Sequence, residues 1–169
     1  MYWKPINATG IGMADIFIKI DGIAGESQDA SHTDEIDVID WTWKVTQQSS
    51  MMSGSGGGAA KATVSDLEFT HQIDKASPNL AQYCFTGKHL PQARLVMRKA
   101  GGIPHEFLRI TMSDVIISHV EPFVDANGAI ECVRLSFARM KKEYILQNAL
   151  GGNGGTVTAL IDVKQNVTQ

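Results

Sequence analysis

The chain has 169 residues, 43% of them hydrophobic, and a formal net charge of −3 at pH 7. These values suit one globular domain, and they lack the basic field that nucleic-acid phosphates and anionic lipid surfaces select. We therefore expect no nucleic-acid partner. Because no apolar run approaches the roughly 18 residues of a membrane helix, we also expect no membrane insertion. The chain also lacks an initial basic stretch followed by an apolar one, so we predict a cytoplasmic protein without a cleaved signal peptide.

Residues 1–12 precede Met13, a second plausible start after which a clear strand pattern begins. Because termini are commonly poorly ordered, we predict an appended or disordered segment over residues 1–12 and a single domain over residues 13–169. A docking peptide led by Tyr2 and Trp3 is the alternative interpretation.

The first predicted strand alternates regularly, whereas the second contains a slip in its alternation. From Asp15 onward, apolar and polar side chains alternate as in a half-buried strand. A second strand over residues 35–48 begins with Ile36 and Val38 on one face, but its later apolar residues lie one position out of phase. Because strand side chains alternate with a period of two, this slip predicts a β-bulge or sharp bend near Val38 to Asp40.

The same slip sets the directions of a Trp-Thr-Trp segment. Trp41 and Trp43 fall on one face and are predicted core anchors, since buried indoles of this size dominate the packing of a small barrel. Thr42 then points away from both tryptophans.

A glycine-rich segment over residues 49–60 separates the second strand from the third. It predicts a long flexible loop, because so many glycines make regular structure entropically costly. The third strand, over residues 62–73, places Leu67, Phe69 and Ile73 inward, together with His71.

A short helix follows the third strand. Ser77 is a candidate N-cap, Pro78 suits the first helical position, and Gly87 can adopt the left-handed conformation that closes the last turn.

Four further strands are predicted, over residues 92–99, 106–120, 130–145 and 156–164. The glycine-containing connectors between them are typical of antiparallel neighbours, and one helix among seven strands excludes a parallel α/β sheet. We therefore predict a mainly β fold: an antiparallel β-barrel of two packed sheets with one short flanking α-helix and a long glycine-rich loop.

Arginines alternate with apolar residues along the fourth to sixth strands, so one face of these strands is basic. This face is either solvated or ion-paired between copies of the chain. The arginines are Arg94, Arg98, Arg109, Arg134 and Arg139.

Candidate catalytic and ligand-binding groups form no recognisable motif. The histidines lack metal-ligand spacing and are interpreted as structural; they are His32, His71, His89, His105 and His119. Lys61 follows a glycine run but lacks the Gly-Lys-Ser/Thr sequence of a phosphate-binding loop. The acidic pairs Glu35–Asp37 and Asp66–Glu68 are either calcium contacts or hydrated surface, and we predict surface.

The cysteines, Cys84 and Cys132, lie far apart without a CxxC pairing, and we expect both to be reduced core residues. We therefore predict no enzyme, no cofactor and no metal site.

Several short motifs occur in a fixed order along the chain. They are Phe17-Ile18-Lys19-Ile20, Gly25-Glu26-Ser27, Glu35-Ile36-Asp37-Val38, Trp41-Thr42-Trp43, the glycine-rich loop, Asp66-Leu67-x-Phe69-Thr70, Ile73-Asp74-Lys75-x-Ser77-Pro78-Asn79-Leu80, Gly87-Lys88-His89 and Arg98-Lys99-Ala100-Gly101-Gly102. In this order, from Met13 onward, the chain resembles the hemolysin-coregulated protein (Hcp) family of type VI secretion.

The resemblance implies a β-barrel that forms homohexameric rings, which stack into the inner tube of a contractile injection machine. It implies secretion without a cleaved signal peptide, small effector proteins carried in the ring lumen, and contacts with a tip spike protein and a contractile sheath. It implies no reaction. Thr42 matches the middle residue of the family's Trp-x-Trp motif, which places it on the lumen face, where it would contact cargo.

The glycine-rich loop gains a use in such an assembly, as an arm that contacts a neighbouring subunit or ring once contact energy offsets its ordering entropy. Its candidate contact residues are Ser49, Met51, Met52, Ser53, Gly54, Ser55, Gly56, Gly57 and Gly58.

Two other functions remain open from the residues alone. One is a monomeric β-barrel module that binds a ligand or peptide between its sheets. The other is a hydrolase whose Ser and His meet only on folding.

Overall fold

A computed structural model of the chain describes residues 14–47, 62–100, 103–165 and 167–168. The predicted N-terminal segment and the predicted glycine-rich loop, residues 49–60, therefore lie outside the described residues. The elements run in the order β1 (Ala14–Ile20), β2 (Ile36–Thr42), β3 (Val45–Thr46), β4 (Thr63–Val64), β5 (Leu67–Gln72), α1 (Ser77–Thr86), β6 (His89–Lys99), β7 (His105–Asp125), β8 (Gly128–Gln147), β9 (Asn153–Asp162) and β10 (Val167–Thr168).

Six strands close into an antiparallel barrel in the order β8-β5-β2-β1-β6-β7, because β7 pairs back onto β8. Beyond the barrel, β9 pairs with the second half of β8, and β10 pairs with the end of β9. The predicted fold class, a mainly β antiparallel barrel with one short flanking helix, is confirmed.

The predicted second and third strands are each divided in two. Lys44 and Ser65 join them beyond β2 and β5: the Lys44 amide donates to Ser65 Oγ at 3.0 Å, and the Ser65 amide donates to the Lys44 carbonyl at 3.0 Å. As a result, β3 and β4 form a separate two-stranded sheet.

The predicted bulge in β2 is confirmed. Val38 lies opposite His71, whereas Asp40 lies opposite Thr70, so the register shifts between Val38 and Asp40. After the shift, Trp41 faces the core beside Phe69, and alternation turns Thr42 outward.

The barrel interior is filled by the inward side chains of all six strands. Leu67, Phe69 and His71 point into it and are buried, as predicted. Ile73 does not: it is 45% exposed, because β5 ends at Gln72 before Ile73 can take the next inward position. The largest fully buried side chains are Phe69, Ile18, Ile20, Ile36, Leu67, Leu80, Leu95, Ile110, Met112, Ile117, Leu135 and Met140.

Helix α1 packs against the barrel through Leu80 and Cys84, and Gly87 ends it with the predicted left-handed conformation, at φ 63°. The predicted Ser77 cap is wrong. Ala76 occupies the N-cap position, and Asp74 Oδ1 accepts its amide at 2.8 Å, because the chain turns one residue earlier than predicted.

The cysteines are both free and half-buried, so they are less buried than the predicted core residues. Burial raises the pKa of the Cys132 thiol, and the nearby Glu68 carboxylate raises it further.

A connecting segment, residues 24–35, folds back over the outer side of β1; we call it the outer loop. It forms its own backbone hydrogen bonds, from the Gly25 amide to the Asp34 carbonyl at 2.8 Å and from the Ser27 amide to the Glu35 carbonyl at 3.0 Å. Gly25 is required here, since a Cβ would lie 2.4 Å from the Glu35 carbonyl oxygen.

An ion-pair cluster ties the outer loop to the barrel. Arg98 of β6 donates to Asp29 Oδ1 at 3.0 Å and to Asp15 Oδ2 of β1 at 3.1 Å. The hydrogen bonding of Asp29 to Arg98 holds the pKa of Asp29 at about 2, below the ordinary value of 3.8.

We predict that Asp29→Asn removes part of the acid sensitivity of folding. Because the folded-state pKa lies below the unfolded one, the ionised Asp29 stabilises the fold above pH 4 and loses that effect as the pH falls from about 4 to about 2. Urea unfolding at fixed pH values should show a smaller loss between pH 5 and pH 2 in the variant than in the wild type.

Asp34→Asn is the matched control, because Asp34 lies in the same loop but is exposed and contacts the exposed Lys75. Equal acid sensitivity of the wild type and Asp29→Asn would contradict the prediction.

Candidate functional site

A polar sheet surface surrounds Thr42. Alternation along β2, β5, β8 and β7 turns every second side chain outward, and the register aligns Thr42 with Glu68, Glu68 with Arg134, and Arg134 with His119. The next row aligns in the same way. We call this surface the Thr42 face; its aligned members are Asp40, Thr42, Glu68, Thr70, His119, Glu121, Cys132 and Arg134.

The Thr42 face is held by ion pairs and hydrogen bonds between strands. Arg134 Nε donates to Glu68 Oε2 at 2.6 Å, and this hydrogen bond raises the pKa of Arg134. Ser118, at a bulge in β7, donates to Asp66 Oδ2 at 2.6 Å. These contacts are exposed, so they order the polar face while adding little to stability.

A groove on this face brings Thr42 together with charges of both signs. Lys44 and Arg134 supply the positive charges, and Asp66 and Glu68 the negative ones. The surface is therefore polar and hydrated, and the described groups offer hydrogen bonds to a macromolecule more readily than a pocket for a small apolar ligand.

Trp41 and Trp43 lie behind this face and pack against the hydrophobic core. The Trp41 indole N–H lies 3.3 Å from Met97 Sδ of β6. Lys142 of β8 lies 5.8 Å from the centre of the Trp43 ring. Both indoles are half-buried, so their edges border the surface as well as the core.

A second surface is apolar and lies where β8 leaves the barrel. Tyr144 and Val157 are directly opposite on β8 and β9, and they are 46% and 62% exposed. Leu146, two residues further along β8, is 44% exposed, and Leu108 of β7 lies opposite Tyr144. We call Leu108, Tyr144, Leu146 and Val157 the Tyr144 surface. On β8 the half-buried Lys142 lies between this surface and the buried Met140.

Three of the predicted structural histidines are buried with polar partners. His71 Nε2 lies 2.9 Å from Glu131 Oε2, and His105 Nε2 lies 2.9 Å from the Ile145 carbonyl oxygen. His32 contacts Glu35, so the prediction of a hydrated surface at Glu35 is wrong: the residue is 8% exposed because the outer loop turns its carboxylate inward toward His32.

Alternation on β5 predicted an inward His71, but its partner depends on a strand register that the sequence did not supply. Within the described parts of the chain, no group of three or more His, Cys, Asp or Glu side chains is placed to hold a metal ion. In the same ranges, no helix has the length and apolar character needed to cross a membrane.

The arginines of the predicted basic strand face have partners within the chain. Four of its arginines form ion pairs within the chain: Arg98 with Asp15 and Asp29, Arg109 with Glu106, Arg134 with Glu68, and Arg139 with Asp114. Cross-strand acids that are remote in sequence supply most of these partners, which is why periodicity along single strands did not reveal them.

The chain is similar to known proteins of one family. The family model described as "Type VI secretion system effector, Hcp" matches residues 17–144. Protein hcp1 of Pseudomonas aeruginosa is 45% identical over 159 residues, which cover 90% of this chain and 97% of that protein.

Solved structures give the same result. Hcp1 from Salmonella typhimurium is 47% identical, with a TM-score of 0.77, 92% coverage of this chain and 99% of the other. A type VI secretion system effector from Yersinia pestis is 43% identical, with a TM-score of 0.74 and coverage of 88% and 100%.

Proposed function

The chain belongs to the Hcp family of the type VI secretion system, and from this premise we propose that it is a structural tube protein and not an enzyme. Six copies form a ring, rings stack into the inner tube, and small effector proteins travel in the lumen. The protein leaves the cytoplasm through the same machine, without a cleaved signal peptide. A tip spike protein and a contractile sheath are its other partners.

The observation that carries this proposal is the Tyr144 surface. Tyr144, Leu146 and Val157 are left exposed on the single subunit, although burial of apolar surface from water is worth about 25 cal/mol per Å². A surface of this kind marks an interaction site. We assign it to the contact between neighbouring subunits.

Strand edges support the same contact. Among the described residues, β10 pairs with β9 only at Ile161 and Asp162, which leaves the outer edge of β9 otherwise unpaired, and β7 has β8 as its sole strand partner beyond Ile116. Unpaired strand edges need cover or a partner. A head-to-tail contact between different edges closes into a ring when its rotation allows closure.

The Thr42 face is the proposed lumen wall. Its ion pairs and hydroxyls remain exposed on one side of the barrel, opposite to the side of β2 that Trp41 anchors in the core. Thr42 would contact cargo directly. We retain the glycine-rich loop, residues 49–60, as the proposed contact to a neighbouring subunit or ring.

We predict that Val157→Glu prevents ring formation without unfolding the barrel. A carboxylate buried without a partner costs several kcal/mol, so the subunit dissociation constant should rise at least about 100-fold. Native mass spectrometry should then show monomers where the wild type shows hexamers, with unchanged circular dichroism.

Thr156→Glu is the matched control. Thr156 is the preceding residue of β9 and points to the opposite face, so this variant should still form rings. A monomeric wild type would contradict the proposal and favour the monomeric binding module.

We predict that Thr42→Gln leaves the hexamer intact and lowers retention of a cargo effector, since a longer side chain occupies the lumen wall. Co-purification of an effector with the ring measures the effect, and Thr158→Gln on β9 serves as the control. Dissociation of the hexamer in Thr42→Gln would instead place Thr42 at a subunit contact.

We predict that deletion of residues 53–58 leaves the melting temperature nearly unchanged and weakens assembly, because the proposed role of this segment is contact with another copy. Thermal unfolding and sedimentation velocity measure the two effects. Unchanged assembly would show that the segment is a connector alone.

A further inference from the structure

We propose that the outer loop docks on the barrel through a proton-operated latch centred on His32. The loop is closed while the His32 imidazole carries a second proton and is loosened when that proton leaves. This inference goes beyond the ring and tube functions and does not depend on them.

His32 lies between two carboxylates that belong to different elements. Its Nδ1 is 2.9 Å from Glu35 Oε2, within the outer loop. Its Nε2 is 3.2 Å from Glu106 Oε1, on β7. The second contact is an ion-pair distance without an aligned hydrogen bond. The two ring nitrogens therefore join the loop to the barrel wall.

The ring itself is excluded from water. His32 is 3% exposed and stacks on Phe17 of β1, with ring centres 4.3 Å apart and planes 11° apart. Glu35 is 8% exposed, so water cannot readily replace a missing hydrogen bond at this carboxylate.

The number of N–H groups on the ring decides how many carboxylates it can satisfy. A neutral imidazole has one N–H and one lone pair, whereas an imidazolium has two N–H groups. The neutral ring can donate to Glu35 or to Glu106, and it presents a lone pair to the other carboxylate. The protonated ring presents an N–H to each carboxylate, and hydrogen bonds between charged groups are the stronger kind.

Charged groups surround His32 both in the loop and on the barrel. Asp29 lies near His32 within the loop and is paired with Arg98 of β6, which also contacts Asp15 of β1. On the barrel side, Arg109 donates to Glu106 and lies 3.9 Å from Glu143. Each arginine is thus already shared between two carboxylates, and Glu35 depends on His32 for its positive partner.

A pH range follows from this chemistry. Ordinary imidazoles gain their second proton near pH 6.5, and ordinary glutamates lose theirs near pH 4.3. The latch is therefore expected to be closed at pH 6, on the acid side of the range in which imidazoles change charge. It loosens toward pH 8, where the second N–H is lost.

Hydrogen exchange of the full-length protein tests the latch. The amides of Gly25, Ser27 and Asp34 report on loop closure, because each donates a hydrogen bond inside the loop. After correction for intrinsic exchange, their protection should be about tenfold higher at pH 6 than at pH 8, the effect of about one charge-assisted hydrogen bond. In His32→Gln this difference should disappear.

His105→Gln is the matched control. His105 is also buried, but its Nε2 faces a neutral carbonyl oxygen, so the outer loop of this variant should keep the wild-type pH dependence. Should His32→Gln fail to fold, Glu106→Gln decides the question, because it removes the charge on the barrel side and should abolish the pH dependence.

Equal protection of the wild-type loop at pH 6 and pH 8 would overturn the proposal. So would a pH dependence that persists unchanged in His32→Gln or in Glu106→Gln.

Discussion

The pairing of β7 with β8 is the interaction on which the rest of the structure depends. It runs from Leu108 opposite Tyr144 to Asp125 opposite Gly128, and it closes the barrel. Past its pairing with β5, β8 continues and carries β9 on its other edge. Because β8 serves both regions, the strand that places Met140 in the core also places Tyr144 on the surface. The barrel and its proposed subunit contact thus share a single strand register.

The non-strand segments are attached to this barrel through polar groups as well as apolar packing. His71 meets Glu131 beneath the start of α1, where burial raises the pKa of Asp74, and His32 meets Glu35 and Glu106 beneath the outer loop. Buried charges are costly unless they are paired, so each contact permits few alternative positions. Apolar packing tolerates small shifts, and the histidine contacts therefore make the placement of both segments specific.

Local patterns predicted the features that depend on neighbouring residues. Alternation identified the strands and the inward His71, and the phase slip identified the bulge at Val38 to Asp40. Contacts across the sheet were not predictable in this way, since the His32–Glu106 pair depends on how the outer loop folds back. The prediction of an inward Ile73 was wrong for a related reason. Ile73 has the correct alternation, but the strand ends one residue before it.

The bulge in β2 links the two sides of the barrel wall. Trp41 and Thr42 are consecutive, so the packing of Trp41 beside Phe69 fixes the outward direction of Thr42. Without the slip, alternation from Val38 would turn Trp41 outward and Thr42 into the core. A substitution at Thr42 can therefore change the chemistry of the proposed lumen wall without disturbing the barrel. The position of that wall is set by Trp41, whose side chain points to the core and not to the lumen side.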